Sequence, residues 1–136
     1  MQYKIVVFYS PTTLHYKLVT YTFKGGTDLS SSQILKGILE GCLLSIISKK
    51  ETYGYEMTEK LSEYGFTMVS EGSIYPLLLR MKKEGLVTVS QKKLPSGGPM
   101  RKYYSLSEKG YEELEDFKKN WHAISTSVQQ LLKEGE

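Results

Sequence analysis

Cysteine is nearly missing from this chain. Cys42 is the only one in 136 residues, so no intrachain disulfide forms, and the sequence suits a reducing compartment. Cys42 stands among Ile38, Leu39, Leu43 and Leu44, the setting of a small buried core residue. Long apolar runs are missing too. No stretch nears the ~20 residues that span a bilayer. The N-terminus carries neither an apolar h-region nor a small-residue cleavage site. The expectation is a cytoplasmic protein. Histidine is scarce: His15 and His122 stand alone, with no second His or Cys at ligand spacing, so no metal site is expected. No glycine-rich loop passes from a strand into a helix, and no nucleophile–base–acid set stands out. The reading is therefore not an enzyme, with no cofactor.

What remains is ordinary in amount and uneven in placement. Hydrophobic residues make up 40% and charged residues 24%, which excludes disordered and fibrous classes. The length suits one domain. Net charge is only +3, yet residues 71–104 carry Arg80, Lys82, Lys83, Lys92, Lys93, Arg101 and Lys102 against Glu71 and Glu84, a local +5 that leaves the remainder at −2. That stretch reads as a short helix followed by a hairpin with a Gly/Pro tip. A basic helix and a basic hairpin in succession are the expected footprint of a winged helix on DNA. A merely solvated face is the plainer reading of a charge run.

The chain divides by texture. Residues 1–10 and 15–23 are rich in Val, Ile, Tyr, Phe and Thr and predict two strands, with a turn at Ser10 to Thr13. A lone hairpin is marginal unless it packs on something. A second reading lies in the gene: Lys24-Gly25-Gly26 can be encoded by a purine-rich ribosome-binding sequence, with Leu29 as a start codon. Residues 1–28 would then be translated leader. From residue 34 the pattern turns helical. Ile34, Leu35, Ile38, Leu39, Cys42, Leu43, Ile46 and Ile47 recur at spacings of three and four, and Ser31 or Ser32 is placed to cap the start. Gly37 and Gly41, one turn apart, cost a helix about 1 kcal/mol each, so they are expected to admit close packing by another element. A second helix runs from about Tyr53 to Tyr64, with Tyr55 or Met57, Leu61 and Tyr64 inward and Gly65 as its stop. A third spans residues 71–83 with Ile74, Leu77, Leu78 and Met81 buried, beginning just before Pro76 or bending there. Residues 86–90 alternate as a strand, 95–99 form the tip, and 101–106 return with Tyr103 and Tyr104 on opposite faces.

A final long helix covers residues 108–133, capped by Ser107. Leu114, Phe117, Trp121, Ile124, Val128 and Leu131 are spaced 3, 4, 3, 4, 3 along it, a heptad seam. A monomer of this size cannot easily cover so long a stripe, so the partner expected is a second copy. The fold class is thus mainly α with a small β-hairpin: an N-terminal β-prone segment at 1–28, a winged helix-turn-helix at 29–106, and a dimerisation helix at 107–136.

The residues go further than the pattern. Tyr53-Gly54-Tyr55-Glu56, Glu71-Gly72-Ser73-Ile74-Tyr75-Pro76-Leu77-Leu78, Glu84-Gly85-Leu86, Gly97-Gly98-Pro99-Met100-Arg101-Lys102-Tyr103-Tyr104 and Leu106-Ser107-Glu108-Lys109-Gly110 together resemble the PadR family of transcriptional regulators. The match covers about residues 34–134 in one consistent order; any single motif is weak. With one short final helix, the chain is similar to the small PadR subfamily. The resemblance implies a homodimeric repressor on a pseudo-palindromic double-stranded DNA operator, relieved by a planar aromatic or drug-like small molecule at the dimer interface. By motif match it places Ser73 and Tyr75 in the first turns of the recognition helix and Lys92, Lys93, Arg101 and Lys102 in the wing. Tyr53, Arg80 and Lys83 are further expected DNA contacts. The resemblance implies an effector site around Trp121, with Phe117 and His122 beside it. Met100 departs from the family, where a second basic residue is frequent.

Several residues keep two readings. Tyr75 reads either as a DNA contact or as core. Arg80 reads as a phosphate contact or as an ion pair with a carboxylate of the second helix such as Glu63. Trp121 reads as seam core or as a stacking platform for a flat ligand. The rival function is a winged-helix protein-interaction adaptor without DNA, against which the +5 stretch argues.

Overall fold

The structure is a computed structural model that describes residues 3–7, 19–23, 29–67 and 69–134, with side chains at 35, 37–67 and 69–134. It falls into two units, Met1–Leu35 and Lys36–Glu136.

In the first unit, β1 (Tyr3–Val7) pairs antiparallel with β2 (Val19–Phe23), in register from Tyr3↔Phe23 to Val7↔Val19. Both expected strands are present, each within the run that signalled it. The turn expected at Ser10 to Thr13, His15 and the Lys24-Gly25-Gly26 signal lie outside the described residues.

Helix α1 (Leu29–Lys49) starts earlier than the apolar pattern does, so Ser31 and Ser32 lie within its first turn rather than ahead of it. From Leu39 on it contributes Leu39, Leu43, Leu44 and Ile47 to the core. A strand that the sequence reading missed, β3 (Thr52–Tyr53), follows. It is too short for its alternation to be read. Thr52 is buried on it, its hydroxyl donating to the Lys50 carbonyl at 2.7 Å. Helix α2 (Gly54–Glu63) buries Met57 and Leu61. Of the alternatives Tyr55 and Met57, it is Met57 that faces inward, and Tyr55 is exposed. Tyr64, expected inward, is 75% exposed, because α2 ends one residue before it and the chain turns away there.

Helix α3 (Glu71–Lys83) buries Ile74, Leu77, Leu78 and Met81, the face its periodicity predicts. Each such side chain taken out of water stabilises the fold by roughly 1.5–3 kcal/mol. Ser70 caps it, its hydroxyl accepting from the Ser73 amide at 3.3 Å. The helix runs unbroken past Pro76; the carbonyl opposite the proline ring belongs to Gly72, which lies in the first turn.

Helices α2 and α3 stop in the same way. Phe66 N–H donates to the Leu61 carbonyl (2.9 Å) and Gly65 N–H to Ser62 (3.0 Å); Leu86 N–H donates to Met81 (2.9 Å) and Gly85 N–H to Lys82 (3.1 Å). This paired closure needs a left-handed residue, and Gly65 (φ 97°) and Gly85 (φ 74°) supply it without a Cβ clash.

The wing follows. Strand β4 (Val87–Leu94) and β5 (Gly97–Leu106) pair antiparallel, and β3 adds to the far edge of β5, giving the order β3-β5-β4. The strands run further toward the tip than expected, leaving Pro95 and Ser96 as the turn. Helix α4 (Glu108–Glu134) completes the chain.

The joint between wing and α4 is tight. Ser107 N–H donates to the Leu86 carbonyl at 3.0 Å, and its hydroxyl donates to the Gly85 carbonyl (2.5 Å) while accepting from Gly110 N–H (3.0 Å). Lys109 Nζ donates to the Glu84 carbonyl at 2.8 Å. A Cβ at Gly110 would collide with the Leu86 carbonyl oxygen. Gly41 plays a similar part on α1, where a Cβ would overlap the Phe117 ring of α4. Gly37, one turn earlier, faces open space.

Candidate nucleic-acid interface

With its apolar side in the core, α3 turns Ser73, Tyr75, Leu79, Arg80, Lys82 and Lys83 outward. Ser73 sits in the first turn, and its hydroxyl shares a hydrogen bond with that of Ser70 at 3.1 Å. Tyr75 is exposed rather than core, though its hydroxyl end rests against Gly54, at the start of α2. Arg80 is already paired, and not with Glu63. Its Nε donates to Glu84 Oε1 at 2.9 Å and its Nη1 lies 3.5 Å from Glu40 Oε1 on α1. Glu63 pairs with Lys60, one turn back on its own helix.

The wing cations divide by register. Lys92 faces Arg101, and Gln91 faces Lys102. Successive strand residues point to opposite faces, so Arg101 and Lys102 part company. On the outer face the Arg101 guanidinium carbon stands 5.0 Å above the Tyr53 ring. Tyr53 meets Tyr103 at 5.3 Å, tilted by 56°, and Lys92 Nζ lies 5.8 Å from the Tyr103 ring. Lys92 also forms an ion pair with Glu51, which accepts a long 3.5 Å bond from Ser90. The Arg101 Nε is buried and has no hydrogen-bond partner among the described residues. The cation–π contact holds the guanidinium at the Tyr53 ring, and a guanidinium is a fork able to bind phosphate through two parallel bonds.

On the inner face, Lys102 lines a cavity of about 230 Å³ with Tyr75, Leu78, Leu79, Lys82, Val89 and Tyr104. The cleft joins α3 to the wing, and two ammonium groups flank an apolar floor. Burial, and then the neighbouring Tyr75, raise the Tyr104 phenol above its ordinary pKa, so it remains a neutral wall. Lys93 is exposed at the break in register between Lys92 and Leu94. Two members of this surface, Leu79 and Lys82, are absent from the expected DNA contacts, although Lys82 counts in the basic stretch. The signal for Leu79 was the Leu77-Leu78-Leu79 run, since a 3.6-residue period turns only two of three consecutive positions inward.

The α4 seam also divides. Leu114 is buried in this chain's own core, and Phe117 is half-buried against Gly41. Both are expected at a dimer interface; the close approach of α4 to α1 buries Leu114 inside the chain and covers Phe117 in part. Beyond them Trp121, Ile124, Val128 and Leu131 are 46 to 70% exposed, with Leu132 and His122 also in the open. Cys42 is half-buried, and burial raises its thiol pKa. Among the described residues, no three His, Cys, Asp or Glu side chains gather as a metal site, and no helix is long and apolar enough to cross a membrane.

Three helices followed by a β-hairpin, with the third helix and the hairpin sharing a cationic cleft, define a winged helix-turn-helix protein. Within that class the chain belongs to the transcriptional regulator PadR-like family, whose profile matches residues 43–116. A PadR-like transcriptional regulator from Bacillus cereus is 58% identical, covering 74% of this chain and 96% of its own, with a TM-score of 0.67. A Streptococcus transcriptional regulator is 41% identical over 73% of this chain and 96% of its own, with a TM-score of 0.67. A PadR family regulator from Clostridium difficile is 33% identical over 69% and 97%, with a TM-score of 0.62. The family's work is regulation of transcription, not catalysis.

Proposed function

We propose that this protein is a cytoplasmic, homodimeric repressor that binds a pseudo-palindromic operator through α3 and the wing. One observation carries the reading: the outward side of α3 and the inner face of the wing meet in a single cleft, with Tyr75, Lys82 and Lys102 on its walls. In this arrangement Ser73, Tyr75 and Leu79 face base edges, the methyl of thymine included. Lys82, Lys83, Lys93, Arg101 and Lys102 neutralise phosphates, while Tyr53 supports Arg101 from below. Lys92, paired with Glu51, contributes less than its neighbours.

Dimerisation is supported by the bare apolar row from Trp121 to Leu131. Such a row on a small protein marks an interaction surface, and a second α4 offers a self-complementary partner. Trp121, next to His122, is the stacking platform for a planar aromatic effector that relieves repression. Fluorescence anisotropy on DNA from upstream of the protein's own gene tests the first part. The expected result is saturable binding that falls steeply with salt. Binding no tighter than to random duplex at every salt concentration would defeat it. For the effector, Trp121→Ala is expected to keep DNA binding and abolish its release by planar aromatic compounds, read in the same anisotropy assay.

A further inference from the structure

Arg80 is a basic residue on the outward side of α3, and by position alone it belongs with the phosphate contacts. Its surroundings assign it elsewhere. The Nε edge of the guanidinium binds Glu84 and Nη1 reaches Glu40 on α1. The Arg80 side chain is 53% exposed, but Glu40 is only 19% exposed and its Oε1 is buried. Both carboxylates favour the guanidinium's charged form, through the Glu84 hydrogen bond first and the Glu40 charge next. A cation compensated twice inside the molecule has little charge left for a phosphate. It does have a rigid planar fork, able to hold at once a carboxylate on α1 and one just past the end of α3, which a lysine cannot reproduce.

The place of Glu40 matters as much as its charge. The next residue, Gly41, is the seat of the Phe117 ring of α4. Two consecutive residues of α1 therefore hold α4 on one side and α3 on the other. We propose that Arg80 is a positioning residue of the recognition helix, locking α3 to α1 through Glu40 and acting on DNA through that lock rather than by touching it. This rests on the reading that α3 meets DNA.

The test is operator anisotropy on the full chain at a series of salt concentrations, with thermal melts confirming that each variant is folded. Three variants separate the roles. Glu40→Gln removes a negative charge, so simple electrostatics predicts equal or tighter binding; the lock predicts weaker binding, by about tenfold, within the reach of indirect coupling. Arg80→Gln is expected to weaken binding similarly while leaving the log–log salt slope at its wild-type value, whereas loss of a true phosphate contact lowers that slope by about 0.9. Arg80→Lys keeps the charge and loses the fork, and is expected to fall with Arg80→Gln. The proposal is overturned if Glu40→Gln binds as tightly as wild type, or if Arg80→Gln loses about one unit of slope while Arg80→Lys retains full affinity. A folded wild type with no salt-dependent binding removes the DNA reading and this inference together. Wild-type binding with an indifferent Glu40→Gln removes this inference alone.

Discussion

Helices α3 and α4 each carry an apolar stripe at helical period, and the two stripes meet opposite fates. The α3 stripe, Ile74, Leu77, Leu78 and Met81, is sealed inside the chain. The α4 stripe enters the core at Leu114, leans on Gly41 at Phe117, and then runs out into solvent from Trp121 onward. Periodicity reports that a helix has an apolar side; it does not report which chain will cover it. The partner is set by where the helix ends up. The α3 helix is closed at both ends by hydrogen-bonded turns and lies over α2, whereas α4 outlasts the domain it springs from.

The contrast can be broken most forcefully inside the core. Leu78→Ala is expected to cost about 2–5 kcal/mol in urea unfolding, because the cavity left between α3 and its neighbours cannot close fully. A second variant works on the bare stripe: Val128→Glu with Leu131→Glu is expected to leave secondary structure intact and convert a sedimenting dimer to monomer. Should this variant unfold like Leu78→Ala, the distal stripe would belong to the core after all. Next come the wing cations. Removing Arg101 or Lys102 is expected to lower the salt slope of DNA binding by about 0.9 each, and removing Lys92 by less, since Glu51 already holds it. An equal effect at all three would show that the Glu51 pair does not hold Lys92 back from DNA. The smallest change is Ser70→Ala, expected to cost about 1 kcal/mol through the lost α3 cap, read from the same urea curves.

Much of this was legible in the chain. The α3 core face, the closing glycines at 65 and 85, the wing strands and the long final helix all announce themselves by period or by a residue with one conformational use. The rest depended on contacts that spacing does not encode. Strand β3 is two residues long and exists because β5 offers an edge to pair with, so Tyr53 looked like the start of a helix. Gly37 and Gly41 carried identical signals, yet only Gly41 lies beneath a ring. Arg80 chose Glu40, forty residues away, over the nearer Glu63. The split between Arg101 and Lys102 was present in strand alternation once the register was known.

The joint at the base of the wing has a mechanical consequence. Where α4 departs, backbone bonds, the Ser107 hydroxyl and the missing side chain of Gly110 pin its first turn against Leu86. That is a bracket, not a hinge. In a dimer built on α4, the gap between the two reading heads is then a fixed gauge, like that of an axle between two wheels. For such a dimer the expected outcome is that a substituted base is tolerated far better than an inserted one, since a single extra base pair between half-sites rotates the second half-site by about a tenth of a turn and a bracketed arm is poorly placed to follow it.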